Sequence, residues 1–173
     1  MVVGNLEFIK SVEVTSSVSS IDVDNVFTDD YDVYFVTVVG FSTTGTTQTR
    51  LNLRYIDSSG TVVNGSTYQY ATLRLNSGTA FTEATSTTQT YQQYSQIDQE
   101  PESSGLSFYV FNPFDSSSYT FQTYQQSSAA NGGFLGIKGI GVEPTAQSLR
   151  GFQILEVSTR PFNTGKIFVY GVK

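Results

Sequence analysis

Apolar and polar residues alternate with a period of two along most of this chain, and the densest apolar run lies near its start. Val33 to Phe41 (VYFVTVVGF) holds only Thr37 and Gly40 outside the apolar set. Val, Phe and Tyr suit a pleated, packed surface, and a continuous run of strand length predicts a central strand buried on both faces. Asp29-Asp-Tyr-Asp32 stands just before it, where short carboxylate side chains bond their own backbone and favour a tight turn.

The same reading places further strands. Leu6 to Val14 carries Leu6, Phe8, Val12 and Val14 on one parity, and Val18 to Val23 alternates Ile21 and Val23 with Ser20 and Asp22. Ser42 to Gln48 is a polar connection. In Thr49 to Ile56, Leu51, Leu53 and Tyr55 face one way and Arg50, Asn52 and Arg54 the other, so one face there meets solvent or a partner. Asp57-Ser-Ser-Gly60 has the order of a type I turn. Strands are predicted for Tyr68 to Leu75, within Thr87 to Ile97, and for Leu106 to Phe111. Asn112-Pro113 ends the last of these, because proline cannot donate to the ladder.

A loop is expected from Asp98 to Ser104 and a strand over Tyr119 to Gln125, followed by a small-residue break from Ser127 to Gly133. The glycines of Phe134 to Val142 (FLGIKGIGV) predict a bent or bulged strand. Gly151 to Val157 and Lys166 to Val172 flank Ser158 to Gly165, which reads as a hairpin loop. About ten short strands with regular turn signals predict an all-β fold, a single antiparallel β-sandwich spanning residues 1–173. No fixed-period repeat points to a propeller or solenoid.

Composition narrows the chemistry. The 173 residues include no Cys and no His, which removes disulfides, thiolate ligands, the commonest transition-metal ligand and any Ser-His-Asp arrangement. Nine Lys and Arg against fifteen Asp and Glu give a net charge of −6, so neither nucleic acid nor an anionic membrane is an expected partner. Charged residues are only 14%, against ~25% in ordinary domains, and Ser, Thr, Gln, Asn and Gly supply the polarity. Met1 to Glu7 has no cationic segment leading into a long apolar core, so no secretory signal is expected, and no apolar stretch reaches the ~20 residues of a membrane span.

Few groups remain as candidates for chemistry. Asp22, Asp24, Asp29, Asp30 and Asp32 could offer oxygens to Ca²⁺, but without the loop spacing or the bidentate Glu, so turn formation and edge protection are the stronger reading. Asn131 to Gly141 is glycine-rich around Lys138 but lacks the order of a phosphate loop. Asp98, Glu100 and Glu102 are the nearest approach to a carboxylate pair for glycoside cleavage, in a segment that reads as solvated. No catalytic residue, metal site or cofactor is therefore expected.

The aromatic residues leave two readings open. Eleven Tyr and thirteen Phe exceed the needs of turns and point mainly to core. Tyr91, Tyr94 and Tyr124, beside Gln92 and Gln93, fall on polar parities, where exposure would suit a subunit interface or a sugar platform. The interface reading is the stronger, because sugar platforms more often include Trp.

Taken in order, several segments resemble the β-rich virion structural proteins and tail-fibre or appendage domains of tailed bacteriophages. They are Ile21 to Phe27 with Asp29 to Tyr34, Leu51 to Tyr55 with Ser59-Gly60, Tyr68 to Tyr70, Phe111-Asn-Pro-Phe114, Gly151 to Ile154 and Gly165 to Gly171. The resemblance implies a jelly-roll-like sandwich without enzymatic activity. It further implies a virion location and assembly as a homo-oligomer, often a trimer, together with other virion proteins. With no anchoring region or shaft ahead of the first strand, a tail-associated or capsid-decorating subunit is as well matched as a fibre. The alternative is a glycan-binding module for attachment to a host surface, with a polysaccharide depolymerase a weaker third.

Overall fold

The computed structural model describes residues 5–43, 49–78, 81–97, 104–130 and 133–173. They form twelve strands: β1 (Leu6–Val14), β2 (Ser20–Val23), β3 (Val33–Thr43), β4 (Thr49–Asp57), β5 (Tyr68–Asn76), β6 (Thr82–Gln89), β7 (Gln92–Ile97), β8 (Ser104–Phe111), β9 (Thr120–Ala130), β10 (Gly133–Glu143), β11 (Leu149–Leu155) and β12 (Phe162–Val172). One sheet has the order β1-β12-β3-β8-β9-β10-β5-β6, the other β2-β11-β4-β7. Every pairing is antiparallel.

Setting β5-β6 and β9-β10 aside leaves two four-stranded sheets, β1-β12-β3-β8 over β2-β11-β4-β7. The chain changes sheet at each step except from β4 to β7, which is the winding of a jelly roll. The two remaining hairpins are insertions that widen one sheet to eight strands.

The core forms where the two four-stranded sheets face each other. Tyr34, Val36 and Val38 of β3 are fully buried, as are Leu51 and Leu53 of β4 and Phe152 and Ile154 of β11. Phe27 meets Tyr34 edge-on at 4.7 Å and Phe108 meets Phe152 at 5.8 Å, within the range of favourable ring pairs. The Tyr34 hydroxyl donates to the Thr28 carbonyl (2.9 Å) and accepts from the Thr28 N–H (2.7 Å), which fixes the acidic corner to the central strand.

The expected turn at Asp57 is present. Gly60 N–H donates to the Asp57 carbonyl at 2.9 Å, and Asp57 Oδ1 accepts from the Ser59 and Thr61 N–H groups. Gly60 has a φ of 89°, a region that disfavours other residues. Asn112 closes β8 in the left-handed region and donates its N–H to the Asp32 carbonyl at 2.7 Å.

Several expectations are corrected. The strand expected within Thr87 to Ile97 is present as β7, which starts at Gln92 in the small sheet, whereas β6, ending at Gln89 in the large one, has no counterpart among the expected strands. The break expected from Ser127 to Gly133 is largely strand, since β9 runs to Ala130 and pairs β10 without a register shift. Nor is β10 bulged, because its register is continuous with β5 as well. Ser158 to Gly165 is not a hairpin loop, since β11 and β12 belong to different sheets. Of the polar connection expected from Ser42 to Gln48, Ser42 and Thr43 belong to β3 and the rest lies outside the described residues, as does the loop expected from Asp98 except for Ser104, which opens β8.

Candidate protein-binding face

The Tyr and Gln positions expected at the surface lie mostly inside. Tyr94 and Gln92 point from β7 into the space beneath β9 and β10, with exposures of 1% and 0%, and Tyr124 of β9 is at 3%. Tyr94 donates to Gln122 Oε1 at 2.8 Å and crosses the Tyr124 ring edge-on at 4.8 Å. Burial raises both phenol pKa values above the ordinary tyrosine value. Gln93 and Tyr91 are half-buried at the step from β6 to β7, where Gln93 Oε1 accepts from the Tyr70 hydroxyl at 3.0 Å. The expected exposure of Tyr94, Tyr124 and Gln92 is therefore corrected. β7 and the inserted β9-β10 hairpin pack against each other and bury these side chains between them, and nothing in their local alternation announces that cover.

The acidic residues of the entry corner are engaged in local structure. Asp24 pairs with Arg150, Asp30 accepts from the Thr28 hydroxyl at 2.9 Å, and Asp22 accepts from the Gln153 amide at 2.7 Å. Among the described residues no group of three or more carboxylates is placed to hold a metal ion. Asp98, Glu100 and Glu102 lie outside the described residues.

The feature that stands out is the outer face of the eight-stranded sheet. The apolar run of β3 predicts burial on both faces, yet the fold covers one. Tyr34, Val36 and Val38 point into the core, while Val33, Phe35 and Thr37 are half-buried outside and Val39 is 42% exposed.

The strand registers extend this outer surface sideways. One transverse row runs Phe8, Tyr170, Phe35, Tyr109, Thr123 and Ile140 across β1, β12, β3, β8, β9 and β10. The adjoining row runs Leu6, Val172, Val33, Phe111, Phe121 and Val142. Neighbouring rings are in contact: Phe8 with Tyr170 at 5.8 Å, Phe35 with Tyr109 at 4.8 Å, and Tyr109 with Phe111 at 6.4 Å. Phe8 is 58% exposed, Phe121 47% and Ile140 60%, so the rows form a contiguous apolar surface in water.

Toward β5 and β6 the face becomes mixed and recessed. A depression of about 420 Å³ lies between Ala71, Thr85, Phe121 and Ile140. Another of about 540 Å³ is bordered by Thr37, Val39, Leu75, Gln125 and Lys138. Phe134 and Phe81, the most exposed large apolar side chains described, stand at the far corner beside Leu75. A broad face of this kind offers ring area and shape to a macromolecule.

No known family and no curated protein sequence matches the chain. Among solved structures, it is similar to the CBM2 module of the evolved Dit of Lactobacillus casei BL23 phage J-1, with a TM-score of 0.28 and 9% identity, covering 92% of this chain and 75% of that one. It also aligns with infectious bursal disease virus Gx strain at a TM-score of 0.20 and 12% identity, covering 96% of this chain and 40% of that one.

Proposed function

We propose that this chain is a non-enzymatic structural subunit of a virion, acting through protein–protein surfaces. The observation that carries the reading is the outer face of the large sheet, where two rows of apolar and aromatic side chains lie uncovered. Monomers seldom leave such an area bare, and large uncovered apolar patches mark association sites. The jelly-roll winding suits the role, since this fold builds capsid and lectin domains, and the absence of His and Cys removes most of the usual catalytic machinery. The ordered segments resembling tailed-bacteriophage structural proteins supply the particular setting, a tail-associated, fibre-appendage or capsid-decorating subunit, assembled as a homo-oligomer such as a trimer.

A second reading, attachment to a host glycan, is favoured by one place on the same face. Tyr109 is 40% exposed beside a depression of about 260 Å³ that Ser107, Thr123, Gln125 and Lys138 also line. A ring with neighbouring hydroxyl, amide and ammonium groups can stack on a sugar and bond its hydroxyls.

Immunolabelling of intact particles tests the first reading. Antibody raised against the chain is expected to decorate the particle at regular positions, with the protein present in stoichiometric copies by quantitative mass spectrometry. Absence from purified particles, or release of reducing ends from polysaccharide by the purified chain, would overturn it.

A further inference from the structure

We infer that the outer face of the eight-stranded sheet is covered by a second copy of this chain. The inference rests on the reading of the protein as a structural subunit and names the partner of its apolar face.

Sequence and fold disagree about β3, and a partner resolves the disagreement. Both parities of Val33 to Val39 are largely apolar, the composition of a strand covered on both sides, while the single chain covers only the side of Tyr34, Val36 and Val38. β8 repeats the pattern, with Phe108 and Val110 inside and Tyr109 and Phe111 outside. The residues that point away from the core are thus those of an interior.

Size and charge both admit another copy. Eight strands at ~4.8 Å spacing and ~26 Å of strand length give a face of roughly 900 Å², comparable with the ~800 Å² that each partner contributes to a stable interface. The chain carries a net charge of −6, so its copies repel unless they meet through surfaces free of uncompensated carboxylates. This face meets that condition among the described residues. Glu13 is paired with Lys166 at 3.1 Å, and Glu83 is balanced by Lys138 on the same transverse row, separated from it by Leu73. The aspartates of the entry corner lie elsewhere. A nucleic acid or an acidic partner would need net positive charge here, and the face has none.

The edges of the eight-stranded sheet do not compete as assembly sites. β1 carries Glu7, Lys10 and Glu13, and β6 (TEATSTTQ) is polar with Glu83, both features that discourage strand-to-strand addition. Association through this sheet is therefore directed to its face.

Light scattering and sedimentation of the purified full chain, wild type and two variants, test the inference. Phe121→Ser removes an exposed ring, and Ile140→Lys places a charge on the face, each at a side chain about half exposed, with thermal unfolding and circular dichroism verifying the fold. Val157→Ser, an exposed apolar residue off the face, is the control. The wild type is expected to be a dimer or trimer. Either face variant should weaken association by about 30-fold or more, as for central interface residues, and the control should not. A wild type that stays monomeric would overturn the inference, as would an oligomer that survives both face variants. A monomer that binds polysaccharide and loses that binding in Phe121→Ser would also overturn it, in favour of a glycan surface. Particle labelling could still succeed in each of these cases, so the structural-subunit reading stands or falls separately.

Discussion

Gly139 lies directly beneath the ring of Tyr124: a Cβ at this glycine would stand 2.5 Å from Tyr124 Cζ and 2.8 Å from the Ala71 carbonyl oxygen. The two residues are opposed in the β9-β10 ladder, and the missing side chain lets the phenol lie down across β10. Two residues on, a Cβ at Gly141 would overlap the Gln92 amide. These glycines make room for side chains rather than for a bulge. Gly139→Ala is expected to destabilise the fold by about 1–3 kcal/mol, the usual cost of overpacking. At roughly 2–4 °C per kcal/mol for a chain of this size, thermal unfolding would register the loss. An unchanged midpoint would remove the packing account of β10.

The inner side of β3 sets the second expectation. Val36 and Val38 are fully buried between the sheets, within the apolar core cluster. Val36→Asp or Val38→Asp strands a charge whose uncompensated burial costs several kcal/mol, against a total stability of roughly 5–15. Each should abolish soluble protein in expression trials. Soluble, cooperatively unfolding variants would show that the sheets do not close over β3.

Strand existence was readable because period-two alternation is local: β1, β4, β5 and β8 fall close to where Leu6 to Val14, Thr49 to Ile56, Tyr68 to Leu75 and Leu106 to Phe111 place them. Which sheet a strand joins is not local. A strand within Thr87 to Ile97 is legible and is there as β7, but nothing local shows that Thr90 and Tyr91 carry the chain from one sheet to the other. Polar parity misled at Gln92, Tyr94 and Tyr124, because β7 packs against the inserted β9-β10 hairpin and buries all three between them. The outer face was visible in part: the double apolar parity of Val33 to Phe41 was correct as composition, and only its cover was misassigned. Recognising Phe8, Tyr170, Phe35 and Tyr109 as one row required the registers.

The pairing of Asp24 with Arg150 should shape the acid limb of stability. Arg150 Nε donates to Asp24 Oδ1 at 2.7 Å and its Nη2 donates to Oδ2, while the Asn25 N–H adds a bond of 2.8 Å. The guanidinium holds the Asp24 carboxyl below its ordinary pKa, outweighing the opposing effect of burial. A depressed folded-state pKa means that the stabilisation is fully present above the unfolded value of about 4 and fades as pH falls below it. Arg150→Met keeps the backbone carbonyl that accepts from the Val26 and Phe27 N–H groups and removes the guanidinium that pairs with Asp24 and lies against Gly60. The drop in unfolding temperature from pH 6 to pH 3 is expected to be smaller in Arg150→Met than in the wild type. Equal drops would assign the acid sensitivity to other carboxylates, such as Asp57 and Asp115, which turn N–H groups and serine hydroxyls also hold low.

Tyr94 and Tyr91 separate core from surface within four residues. Tyr94 is 1% exposed, packs against Phe108 at 5.8 Å and Tyr124 at 4.8 Å, and donates to Gln122 Oε1, itself buried. Tyr94→Ala would open a cavity under β9 and leave the Gln122 oxygen without its donor, at a cost of about 3–5 kcal/mol. Tyr94→Phe keeps the ring and loses only the hydrogen bond, which limits the cost to about 1–2 kcal/mol. Tyr91 is half-buried at the step between the sheets, and Tyr91→Ala is expected to cost less than either. Denaturant unfolding of the three variants measures the order directly. If Tyr91→Ala proved the most damaging, or if Tyr94→Ala shifted the mass of the assembly toward monomer while leaving stability intact, Tyr94 would be acting at a surface, and its place in the core would have to be abandoned.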